Sequence, residues 1–331
     1  MSELARRADR DSSAGWRGWY RLLVERRDIS LLVTIAVAVL MITRVTPYFL
    51  TVMNMRTLGL AVAFNGIVVI GMTILMIGGG IDLSVGATYG LVSIIVALLI
   101  SEGFPVLLGL VVGLLIGLAI GALNVVLINR FGLSPFLATL GTMSVFRGLI
   151  WVVSGGHSIV GLPPAFNALG QTKLFGMQLP VYIMLVLVIV ADFLLRRSTF
   201  LRQVYYIGMN RESAVSTGIP VVRVTSVAYI LSAMLAGVAG ILDGARVGAV
   251  YVMAGLGLEF QVITAAVIGG TALSGGRGTI FGSLLGVIVM AMLTNVLNLV
   301  GVNMYWQNVL VGVILVAVVA LDRLVAPKEV R

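Results

Sequence analysis

The side chains that could do chemistry in this chain are few, and the most telling one sits where an apolar run breaks. Asp82 follows Gly78-Gly79-Gly80-Ile81 and precedes Leu83-Ser84-Val85-Gly86. A carboxylate at the end of an apolar run is costly unless it is satisfied. The glycines let the backbone leave one helix, and Ser84 with Val85 and Gly86 can start the next. Asp82 then either accepts free N–H groups at a helix start or, with Ser84, stands on a solute pathway or gate. The two readings are compatible if the break lines a cavity. Asn124, Thr139, Thr142 and Asn295 are further candidates for a pathway or gate. For Asn124 and Asn295, as for Asn129, Thr294 and Asn298, the competing reading is hydrogen-bonded glue between helices. Arg147 lies inside an apolar stretch after Thr142 and Ser144, and either faces a polar passage or snorkels outward. Asp243 and Arg246, three apart, read as a same-helix pair, and Glu259 reads as the cap of a span.

Several chemistries are excluded. There is one histidine, His157, no cysteine and no clustered carboxylate pair, so no catalytic constellation can be assembled. Thiolate and multi-imidazole metal sites are likewise not expected. Gly275-Gly276-Arg277-Gly278-Thr279 is glycine-rich but lacks the Lys-Ser/Thr of a phosphate loop. It reads as a tight turn that puts Arg277 at lipid headgroups. No catalytic residue, metal or cofactor is expected on this chain.

These residues must be held by elements made almost entirely of apolar residues. The chain has 331 residues, 60% hydrophobic and only 11% charged; a soluble domain carries about a quarter charged residues. Such a chain cannot hide its apolar surface within itself, so its solvent is lipid. Runs of about 20 apolar residues cross a hydrocarbon core of about 30 Å. Continuous runs, rather than short alternating segments, select helices over a closed barrel. Apolar spans fall near 30–50, 58–77, 86–101, 105–128, 135–153, 179–195, 224–242, 260–273, 280–299 and 304–321. The expected fold is an all-α polytopic membrane protein with about 10 transmembrane helices, eight at the fewest.

Charge sets the expected orientation. With the N-terminus in the cytoplasm, the inside segments are 1–29, 78–85, 129–134, 196–223, 274–279 and 322–331, and they hold 17 of the 22 arginines and lysines. Both termini are then cytoplasmic. The net charge of +9 reflects these loops, not nucleic-acid binding. The first 29 residues form a basic segment in which 16–27, mixing Trp16, Trp19 and Tyr20 with four arginines, reads as an interfacial helix. No removed signal peptide is expected. A single transmembrane domain covers 30–322, and 323–331 is a cytoplasmic tail. The outer segment 154–178 is long enough for a surface helix or a re-entrant piece. Each half carries one glycine-broken segment, the pattern of transporters built from repeats, but residue correspondence between the halves is poor and a true repeat stays open.

The polar stretch 196–223 divides the two halves. Asn210 is a good N-cap, and Glu212 falls in the first turn, where the helix dipole favours an acid. Gly218 suits a left-handed C-terminal cap, and Pro220 forbids continuation. Two turns of helix are unstable alone, so packing on this protein or on a partner must hold them.

The run Tyr206-Ile207-Gly208-x-Asn210 to Ser216-Thr217-Gly218-Ile219 resembles the cytoplasmic loop of the ribose/xylose-type sugar ABC-transporter permeases. Three more motifs resemble that family in order and spacing: Gly79-Gly80-Ile81-Asp82-Leu83-Ser84-Val85-Gly86, Ser134-Pro135-Phe136-Leu137-Ala138-Thr139-Leu140-Gly141-Thr142 through Arg147-Gly148, and Ala266-Val267-Ile268-Gly269-Gly270-Thr271 through Gly278. A fourth runs from Asn298-Leu299 to Trp306-Gln307. The resemblance covers about residues 55–322. It implies the permease of a bacterial importer in the inner membrane, paired with a second permease, identical or not. Two cytoplasmic ATPase subunits, carrying ATP and magnesium, would dock on Met209, Asn210, Arg211, Glu212, Ser213, Ala214, Val215, Ser216, Thr217 and Gly218. A periplasmic binding protein would deliver a monosaccharide or similar small polyol. Permeases for furanose-like signalling molecules, nucleosides or branched-chain amino acids remain alternatives, as does a stand-alone secondary carrier, for which Asp82 would be the ion-coupling group.

Overall fold

The computed structural model describes residues 27–325, so most of the basic N-terminal segment, with all but the last residue of its expected interfacial stretch 16–27, and the end of the tail lie outside the described residues. The described residues are mostly helical, and each of the ten apolar stretches contains a helix. In chain order these are α1 (Arg27–Val45), α2 (Val52–Ile77), α3 (Val85–Ser101), α4 (Val106–Asn129) and α5 (Pro135–Ser154). After the short α6 (Pro164–Gln171) come α7 (Leu179–Arg197), α8 (Thr199–Met209), α9 (Arg211–Ser216) and α10 (Val221–Val247). The chain ends with α11 (Leu258–Ile268), α12 (Ile280–Leu299) and α13 (Met304–Val325).

Among the described residues six helices, α2, α4, α5, α7, α10 and α12, are long and apolar enough to cross a membrane. The apolar parts of α1, α3, α11 and α13 are shorter. The chain is therefore a multi-pass membrane protein. The expected 260–273 span stops at Ile268 because Gly269 and Gly270 take the backbone out of the helix.

α2 is the centre. It is apolar on every side, and nearly every residue from Leu60 to Ile77 is buried, as expected of a helix with no solvent face. α10 packs against it and against α3, α4 and α6, while α11 and α12 close its other flank. α4 approaches α10 along Gly113, Gly117 and Gly121, which bring it against the α10 backbone at Ile230 and Met234. Small residues at such crossings gain van der Waals contact where lipid offers no hydrophobic drive. By contrast α4, α5 and α7 leave most of their surface open to lipid or partners.

The connections sort onto two ends. At one end lie α6 and two small ribbons. Strand β1 (Ile159–Val160) pairs antiparallel with β4 (Ala249–Val250), and β2 (Lys173–Leu174) with β3 (Met177–Gln178). Arg56 ties the start of α2 to this end by donating to the Gly176 carbonyl at 2.8 Å. At the other end meet the end of α2, the α8–α9 pair and the Gly269–Thr279 stretch, residues 269–279, described next.

Candidate functional site

Five of the six pathway candidates come together. Ser84 donates to Asp82 Oδ1 through its backbone N–H at 2.9 Å and its hydroxyl at 2.6 Å. Asn124 Nδ2 donates to Ser84 Oγ at 3.0 Å, and Thr142 Oγ1 donates to Asn124 Oδ1 at 2.8 Å and to the Thr139 carbonyl at 3.2 Å. Thr139 joins only through this carbonyl, since its own hydroxyl donates to Pro135. The chain of bonds links the α2–α3 break to α4 and α5. All five residues are buried. Asp82 thus binds the start of α3, but its Oδ2 is buried without a partner.

Asn295 lies elsewhere. It exchanges amide hydrogen bonds with Asn54, at 2.9 and 2.7 Å, joining α12 to the start of α2. Asn129 bonds Ser226 between α4 and α10, and Asn298 accepts from Gln307 between α12 and α13. These are inter-helix bonds. Asp243 and Arg246 form the same-helix pair at 3.0 Å.

Composition marked Arg147 and Glu259 only as charged residues in apolar surroundings. Arg147 Nη1 donates to the Ala254 carbonyl at 2.7 Å, while its Nη2 and Glu259 Oε2 are buried without partners. Both atoms lie beside Gly86, where a Cβ would collide with the Glu259 carboxylate. Glu259 is therefore more than a helix-end acid: its carboxyl group lies buried on the same side of Gly86 as Arg147, against the start of α3. Their opposite charges, 112 positions apart in the numbering, gave no spacing signal.

The polar middle stretch contains two helices. α8 was unexpected; it begins at Ser198, whose hydroxyl accepts the Leu201 N–H at 3.3 Å. α9 has the expected ends: Asn210 Oδ1 accepts from the Ser213 N–H at 2.8 Å, and Gly218 follows with φ +82°. Of its residues only Ala214 is buried. Met209 and Val215 are 64% and 59% exposed, an apolar surface set among Arg211, Glu212 and Ser213.

The root of α9 is packed tightly. A Cβ on Gly208 would collide with the Ile77 carbonyl and the Gly276 amide. That amide donates to that carbonyl at 2.8 Å. Tyr205, one turn earlier on α8, donates to the Gly278 carbonyl at 2.9 Å. Burial, with Asp192 nearby, raises the Tyr205 phenol above its usual range and keeps it a donor. Both glycine-broken segments thus meet at one backbone position, next to the exposed helix. Beside it a cavity of about 40 Å³ is lined by Gly78, Gly79, Gly80, Asn129, Arg211 and Tyr229. A water needs roughly 10–15 Å³, so the cavity has room for water. Among the described residues no three histidine, aspartate or glutamate side chains cluster as a metal site requires.

Comparison with known proteins places this arrangement. The chain is 40% identical over 289 residues to the ribose import permease protein RbsC of Bacillus subtilis, spanning 87% of this chain and 90% of that one. It is 36% identical over 280 residues to the D-allose transport system permease protein AlsC of Escherichia coli, spanning 84% and 86%. It is 34% identical over 293 residues to the L-arabinose transport system permease protein AraH of Escherichia coli, spanning 88% and 89%. No solved structure gives a significant match. Residues 54–319, which include both glycine breaks, the bonded Asp82 cluster and α9, match one family throughout. The chain belongs to the family described as branched-chain amino acid transport system / permease component.

Proposed function

We propose that this chain is the membrane-spanning permease subunit of an ATP-driven bacterial importer for a monosaccharide, and that an ATPase subunit docks on α9. The observation that carries the docking role is the junction at Gly208, where the exposed helix is rooted against both broken segments. A push on α9 reaches α2, through Ile77, and the 269–279 stretch, through Gly276, without a flexible intermediate. The relatives named for ribose, allose and arabinose support a monosaccharide over a branched-chain amino acid or a nucleoside.

In this reading the protein sits in the inner membrane with ten spans and both termini in the cytoplasm. Segments assigned to one side by charge touch one another: Gly79 and Gly275 both approach Gly208, and Asn129 and Arg211 line one cavity with Gly78, Gly79 and Gly80. The working unit is a pair of permeases with two ATPase subunits, which carry the ATP and magnesium, and a periplasmic binding protein delivers the sugar. The bonded cluster of Asp82, Ser84, Asn124, Thr139 and Thr142 ties together the helices that move when the path opens, and Asn295 holds α12 to α2.

The test is Ala214→Pro in the assembled importer. The Ala214 N–H donates to the Asn210 carbonyl at 3.0 Å, and proline removes that bond at a cost of about 3 kcal/mol. Normal membrane insertion with loss of sugar-stimulated ATP hydrolysis is expected. Undiminished stimulation would show that the ATPase docks elsewhere.

A further inference from the structure

The α7–α8 corner carries two adjoining grooves that the transport reading does not use. One, of about 510 Å³, runs along the side of α7 and is lined by Val188, Ile189, Phe193 and Phe281 together with Asp192, Arg196 and Arg197. The other, of about 430 Å³, is lined by Arg196, Arg202, Tyr205 and Tyr206. Arg196 belongs to both, so apolar floor and basic rim are continuous. Both volumes lie in the ordinary range of ligand sites, about 300–1,000 Å³.

Charge and hydropathy point to one occupant. Asp192 holds one edge of the Arg196 guanidinium at 2.7 Å. Among the described residues Arg197 and Arg202 have no carboxylate within ion-pair distance. Three arginines therefore face one acid at the end of a membrane-length helix. Ile189 and Phe193 beneath them are 67% and 60% exposed and four apart, on one face of α7. Positive charge at a helix end attracts the phosphate of an anionic headgroup, and basic pockets there collect such lipids. A second copy of this chain, or an ATPase, would have to cover three arginines and an apolar groove at once.

We infer that the α7–α8 corner is a binding site for an anionic phospholipid, with the phosphate on Arg196, Arg197 and Arg202 and an acyl chain along Ile189, Phe193 and Phe281. The inference rests on the chain spanning a membrane, not on what it carries. Because α8 leads directly to Gly208, the lipid sits on the lever that holds α9.

Native mass spectrometry of the detergent-purified full-length chain, titrated with phosphatidylglycerol or phosphatidylcholine, tests this. Phosphatidylglycerol should be retained roughly tenfold or more over phosphatidylcholine. Replacing the three arginines by glutamine should abolish that preference, whereas lysine at all three should keep it, since the headgroup needs positive charge first. Arg130→Gln should leave it intact. Elution of each variant at the wild-type position checks folding, and the lysine variant carries the test if the glutamine variant fails. Equal retention of the two lipids, an unchanged preference in the glutamine variant, loss of preference in a folded lysine variant, or complete displacement of the lipid by excess inorganic phosphate would overturn the lipid site.

Discussion

Asp82 turns one carboxylate oxygen to Ser84 and keeps the other buried without a partner. That asymmetry separates two readings of the residue. If the carboxylate only binds the start of α3, Asp82→Asn should be tolerated. The amide oxygen can accept both bonds from Ser84, and the amide nitrogen replaces an atom that already had no partner. Uptake by the assembled importer should stay within a few-fold of wild type. Asp82→Ala removes both bonds and strands the Ser84 donors, which costs about 1–3 kcal/mol and should appear as a lower Tm of the purified protein. A folded Asp82→Asn variant with no uptake would mean that the carboxylate itself moves a proton, as in a stand-alone carrier. Sequence alone exposed the candidates, because each is a polar side chain in an apolar run. It could not connect them: Ser84 lies in the α2–α3 break, Asn124 on α4 and Thr142 on α5, and no local period relates them. The same limit separated Asn295, whose partner Asn54 lies at the far end of the sequence. It also hid Arg147 and Glu259 as facing charges.

At the scale of elements, the Gly208 junction makes a sharper demand than any single hydrogen bond. Gly208→Ala forces a methyl group against the Ile77 carbonyl and the Gly276 amide. Backbone cannot move aside as a side chain does, and overpacking of this kind costs about 1–3 kcal/mol. Sugar-stimulated ATP hydrolysis and uptake should fall together. Gly148→Ala, where a Cβ meets nothing within 4 Å, gives the baseline. Coupling retained in Gly208→Ala would remove this junction from the route between ATPase and membrane helices. The ends of α9 were readable from Asn210, Glu212, Gly218 and Pro220, because capping is local chemistry. α8 was not readable. Its arginine, glutamine and tyrosines looked like loop residues, and packing of Val204 and Ile207 into the core holds it as a helix. The meeting of 77, 208 and 276 joins three distant segments, which spacing along the chain cannot report.

For the whole molecule, apolar run length located the ten apolar helices among the described residues, while the interrupted backbone at Gly78–Ser84 and 269–279 leaves α3 and α11 short of spanning length. In the proposed reading, the end that carries α9 and the Gly208 junction is the energy-coupling face, and the end that carries α6 and the two ribbons is the delivery face. An importer of this kind draws on ATP and not on an ion gradient. The decisive measurement is uptake of labelled ribose, allose or arabinose into vesicles that hold the complete importer, with ATP and the proton gradient varied independently. Uptake of at least one of these sugars that requires ATP and survives collapse of the gradient is the predicted result. Uptake that follows the proton gradient and ignores ATP depletion would contradict the account.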